Sequence, residues 1–137
     1  METSADISFE VKVDQLFDGA IDRLTAALKD EGFGILTRID VHTTLKQKLD
    51  QDFRQYAILG ACNPSLAHRA LEHSAEVGLM LPCNITVEAA PSGGSIIRIG
   101  DPEAMIKGFG MESDPVLKAI GEEARDHLER VAKSLAS

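Results

Sequence analysis

With 137 residues and 44% hydrophobic composition, the chain has the length and apolar content of one globular domain, which excludes a disordered segment. A net charge of −8, one Tyr and no Trp exclude a general phosphate-binding face or an aromatic stacking platform, so nucleic acid is not an expected partner. No stretch approaches the roughly 18 apolar residues of a membrane span, and Met1 to Asp6 has neither the basic flank nor the apolar core of a signal segment; a cytosolic protein with no membrane partner and two reduced cysteines is expected.

Ile7 to Val13 alternates apolar and polar residues, the period of a half-buried strand. Asp14 follows as an expected N-cap, and Phe17, Ala20, Ile21, Leu24 and Leu28 recur at helical spacing until Gly32 stops the helix. Phe33 to Ile39 reads as a second strand, with Phe33, Ile35, Thr37 and Ile39 sharing a face. Thr43 to Leu49 is an expected short helix that turns Leu45 and Leu49 inward. Phe53 to Ala61 is an expected third strand. Asn63-Pro64 then carries a strong start signal, a capping Asn before a proline at the first helical position. That helix is expected to run to His73, with Leu66, Ala67, Ala70 and Leu71 inward.

Gly78 to Glu88 is the longest strand candidate, with Leu79, Leu81, Cys83, Ile85 and Val87 on one face. Pro82 implies an edge, a bulge or a break there, because it lacks a ladder donor. The turn residues Pro91 to Gly94 and a strand over Ser95 to Ile99 complete an antiparallel hairpin. Asp101-Pro102 opens a short turn or helix, and Lys107 to Met111 reads as a mobile loop. Asp114-Pro115 starts a long last helix with the stripe Leu117, Ile120, Ala124, Leu128, Val131 and Leu135. Five strands with these helices predict an α+β, two-layer fold: a mostly antiparallel sheet covered by helices on one face.

The two Cys-Asn pairs, Cys62-Asn63 and Cys83-Asn84, are the candidate site. Cys62 ends a strand just before a helix N-terminus, where free N–H groups and the helix dipole favour a thiolate or an anion. Cys83 lies on the apolar face of its strand, where burial makes a thiol inert. Asn63 has a sufficient role as a cap; Asn84 has no such simple explanation, since Asn is depleted in strands. The histidines His42, His68, His73 and His127 lack the close paired spacing of a zinc site. Asp40, His42 and Lys46 form a corner that reads either as an acid/base group or as solvated polar surface. No phosphate-binding glycine loop or nucleophile elbow is present.

Gly60-Ala61-Cys62-Asn63-Pro64 with Ala67 and Leu71, then Gly78-Leu79 and Leu81-Pro82-Cys83-Asn84, resembles the bacterial and archaeal family called domain of unknown function 302. Asp40-Val41, Leu45-Lys46, Lys48-Leu49, Phe53-Arg54 and Asp101-Pro102 extend the likeness over about residues 9–135 of a single domain 1–137. Asp50 stands where many members carry glycine. The resemblance implies a curved antiparallel sheet with a long C-terminal helix, similar to the TATA-binding-protein-like fold, and a homodimer. It implies no activity.

Three readings follow. One is a non-enzymatic homodimer that holds a small molecule, anion or metal near Cys62, Asn63, Cys83 and Asn84. The alternative is a redox or sulfur-transfer protein with Cys62 as nucleophile and Cys83 as resolving residue. In the third, the cysteines only pack. The non-enzymatic binding module is preferred, and the sequence names no cofactor, metal or ligand.

Overall fold

The computed structural model describes residues 2–3 and 7–137, the side chains of Glu2 and Thr3 excepted. The alternation seen in the sequence builds a six-stranded antiparallel sheet in the order β1-β2-β6-β5-β4-β3. Its strands are β1 (Glu2–Thr3), β2 (Ser8–Val13), β3 (Gly34–Asp40), β4 (Tyr56–Cys62), β5 (Cys83–Ala89) and β6 (Ser95–Gly100). The five expected strands are present, and the two-residue β1 adds an outer edge. The helices are α1 (Phe17–Asp30), α2 (Val41–Leu49), α3 (Pro64–His73), α4 (Pro102–Gly108) and α5 (Pro115–Ala136). At 1.5 Å per residue, α5 is about 33 Å long, enough to cross the sheet.

Period 2 in the strands and period 3.6 in the helices meet in the core. Phe9, Val11, Leu59, Ile85, Val87, Ile97 and Ile99 point from the sheet toward Leu24 and Leu28 of α1 and Leu128 and Val131 of α5, and all are essentially inaccessible. Each such side chain contributes about 1.5–3 kcal/mol by burial. The other sheet face carries Glu10, Arg98, Glu88, Thr86, Ile58 and Ile39 by the same registers, with no helix over it among the described residues.

Three Asx-Pro starts behave as local chemistry dictates. Asn63 Oδ1 accepts from Leu66 N (3.2 Å), Asp101 Oδ1 from Glu103 N (3.0 Å), and Asp114 Oδ1 from Val116 N (3.0 Å), each ahead of a proline in the first turn. The expected cap at Asp14 is not formed. Helix α1 starts at Phe17 behind Leu16, which makes no side-chain cap bond. Gln15 is held instead by the sheet, because Ser95 Oγ donates to its carbonyl (2.8 Å).

Other expectations shift for reasons of pairing. A β-bulge between Ile35 and Thr37 moves the end of β3 to the other face, so Ile39 stands opposite Ile58 and is 52% exposed, not inward with Ile35. The third strand begins at Tyr56, leaving Phe53 outside it and 42% exposed. Leu49 and Leu71 lie on outer helix faces and are exposed. The run from Gly78 is not strand throughout: Ala75–Met80 is a 3-10 turn, and β5 starts only at Cys83, after Pro82. Leu79 is therefore 79% exposed and off the face of Ile85 and Val87. Helix α4 continues through Gly108, into the segment expected to be loop. Asp50, at the end of α2, is left-handed (φ 52°), a conformation that favours glycine.

A sulfur-lined cavity at the end of the sheet

The strand ends at Cys62 and Cys83 do not meet a flush helix layer. Between them, α3, the 3-10 turn, α4 and α5 lies a cavity of about 280 Å³. Ala61, Cys83 and Phe33 form its sheet side. Leu66, Ala67 and Ala70 come from α3, and Leu117, Ile120 and Ala124 from α5. Met105, Ile106 and Phe109 cover it from the α4 side, although no residue of α4 itself is buried. Gly121 lets α4 come close, because a side chain there would meet Ile106 Cδ1. No charged or histidine side chain among the described residues lines the cavity.

All four residues singled out from the sequence are among those that line this cavity. Cys83 stands opposite Ala61 in the β4–β5 ladder, so Cys62 is one residue farther along and on the opposite pleat. Both thiols are free and half-buried. Burial pushes the Cys83 thiol up to about 11, and the nearby Cys62 adds to that. Cys83 is therefore a protonated, unreactive thiol at neutral pH.

Asn63 is occupied at both ends of its amide. Its Oδ1 caps α3, and its Nδ2 donates to the Glu31 carbonyl (3.5 Å). Gly32 makes this approach possible: it sits at φ +82°, and a Cβ there would come within 3.1 Å of Asn63 Nδ2. Asn84 is exposed, opposite Gly60 in the ladder. The Leu66 amide at the α3 N-terminus is already taken by Asn63, which leaves less for an anion there.

The remaining polar candidates are dispersed. Asp40 takes Arg38 Nε (3.0 Å), Tyr56 N–H donates to His42 Nδ1 (3.0 Å), and Lys46 pairs with Asp50 (2.9 Å) and Asp52 (3.2 Å). His68 faces Glu72, His73 faces Asp114 (2.7 Å), and His127 faces Glu31 (2.9 Å). Among the described residues, no group of three His, Cys, Asp or Glu side chains gathers to hold a metal ion.

The family's sequence profile, domain of unknown function DUF302, matches residues 9–135. The chain belongs to the DUF302 family. A solved structure of an uncharacterized conserved DUF302 protein from Bacillus stearothermophilus is 32% identical to it, with a TM-score of 0.82, covering 93% of this chain and 97% of that one. A comparison with curated proteins finds no match. Both Cys-Asn pairs, the dipeptides singled out in the sequence, thus line the cavity. Sequence reasoning missed Met80, Met105, Ile106 and Phe109. The signal for Met105, Ile106 and Phe109 was the apolar content of Ala104 to Phe109 after the Asp101-Pro102 cap, and Met80 lay in a run read as strand. No helix among the described residues is long and apolar enough to cross a membrane.

Proposed function

We propose that this protein is a non-enzymatic binding module, working in the cytosol as a homodimer, that holds a small molecule in the cavity walled by Cys62, Asn63, Cys83 and Asn84. One observation carries the reading: the four residues line a single cavity whose remaining wall is apolar and uncharged. Concave, mainly apolar pockets with a few polar groups are where small molecules bind. An anion finds no cationic side chain on this wall, and a hard cation finds no carboxylate. Thiol chemistry between Cys62 and Cys83 is the weaker reading, because the Cys83 thiol is held near 11 and the two residues leave the ladder on opposite pleats.

The homodimer reading is supported by the helix-free sheet face. Ile39 is exposed there, beside the half-buried Ile58, Ile96 and Tyr56, and the exposed Phe53 packs its ring against Tyr56. Sedimentation equilibrium is expected to give twice the chain mass, and Ile58→Glu to give the single-chain mass.

The binding reading is tested by titrating the full chain with the neutral fluorophore N-phenyl-1-naphthylamine. Saturable binding of one probe per chain is expected, and Ala67→Trp, which fills the cavity, is expected to abolish it. Equal binding by wild type and Ala67→Trp would refute the assignment.

A further inference from the structure

The chain has two cysteines and four methionines. Cys62, Cys83, Met80 and Met105 all line the same cavity, and Met111 packs against the adjoining core. Such a concentration is not required for filling space, which leucine and isoleucine do as well. Sulfur differs from carbon in being polarisable, and it makes favourable contacts with aromatic rings, each worth about two- to tenfold in affinity. The wall is also free of charge, so an ionised ligand would enter without a counter-charge. Size sets the third limit: a 150 Å³ apolar cavity takes benzene, so a cavity of about 280 Å³ takes roughly two fused rings.

We infer that the cavity selects a neutral aromatic molecule of about two rings, and that the sulfur atoms of Met80, Met105 and the cysteines set that preference over aliphatic chains. The inference rests on the proposed binding role and names its ligand class. Phe33 and Phe109 line the same cavity, and aromatic side chains favour an aromatic guest. A Cys83 thiol that stays protonated behaves as a small apolar group with a weak donor, suited to a π face and unsuited to an anion.

The experiment displaces N-phenyl-1-naphthylamine from the full chain with naphthalene, 1-decanol and 1-naphthoate in turn. Naphthalene is expected to compete at least tenfold more strongly than either of the others. The volume-conserving double variant Met80→Leu/Met105→Leu is then expected to lose about four- to hundredfold in naphthalene affinity, while 1-decanol changes by less than twofold. If the double variant does not fold, Met105→Leu alone is read, with a two- to tenfold loss expected. Equal competition by 1-decanol or 1-naphthoate, or Leu variants that leave the naphthalene preference intact, would overturn the inference while leaving the cavity a binding site. If neither the fluorophore nor any of the three competitors binds, the proposed function falls with it.

Discussion

Asn63 is the residue on which two accounts of the cavity wall part. If it is a cap and a cross-link, its loss affects stability; if it is a ligand group, its loss affects binding. In Asn63→Ala the Leu66 amide loses its partner, and cap removal costs about 1 kcal/mol, in a range of roughly 0.5–2. The second bond, to the Glu31 carbonyl, is at the long limit of 3.5 Å and adds little. For a chain of 137 residues the unfolding entropy near the midpoint is about 0.29 kcal/mol/K. A loss of about 1–1.5 kcal/mol therefore lowers Tm by roughly 3–5 °C. Asn63→Asp keeps the accepting oxygen and adds favourable charge at the α3 N-terminus, so it is expected to stay within about 0.5 kcal/mol of wild type. Calorimetry gives Tm, and fluorophore titration gives affinity on the same samples. Asn63→Ala is expected to bind the probe within twofold of wild type. An unchanged Tm with lost probe binding would refute the capping account and make Asn63 a ligand group.

Three further outcomes follow from other parts of the molecule. Iodoacetamide at pH 8 is expected to leave Cys83 unmodified in the native chain and to modify it in urea, read by peptide mass spectrometry; native labelling of Cys83 at pH 8 would contradict its elevated pKa. Burial works to raise the Glu88 carboxyl, but hydrogen bonds from Arg98 (2.7 Å) and Arg54 (2.6 Å) outweigh it and hold the group below its ordinary range. Its stabilisation is thus complete above the unfolded value of 4.5 and is lost as pH falls through the lowered folded value. Glu88→Gln is expected to cost about 1–3 kcal/mol in urea unfolding at pH 7, and the difference from wild type is expected to shrink below about pH 4.5. Asp50→Gly relieves a left-handed non-glycine residue and is expected to raise stability by less than about 1 kcal/mol, partly offset by the loss of the exposed Lys46 pair. A drop in stability larger than that would show that the pair matters more than the backbone.

What the sequence made legible was whatever local chemistry decides. Asn63-Pro64, Asp101-Pro102 and Asp114-Pro115 start helices because cap and proline act within one turn. The alternation of Ile85 and Val87, and the helical stripe of α5, needed only their own periods. What was not legible belongs to pairing and to contacts between distant segments. The β3 bulge is a property of how Ile35 and Thr37 sit against Ala61 and Gly60, so nothing local flips Ile39 outward. The apparent alternation from Leu79 through Cys83 ran across Pro82 into a 3-10 turn, although Pro82 itself signalled the break. The candidate pairs were visible as unusual dipeptides, but the cavity they share was not, because its other walls come from α3, α4 and α5. Met105 and Phe109 lie in a seven-residue helix and at its end, too short to show a face of its own.

The most direct measurement is a ¹H–¹⁵N correlation spectrum of the full chain recorded during titration with N-phenyl-1-naphthylamine. Amide shifts are expected to concentrate at Ala67, Ala70, Cys83, Met105 and Leu117, around the cavity. Shifts confined to Ile39, Ile58 and Thr86 on the open sheet face, or no saturable shifts at all, would contradict it.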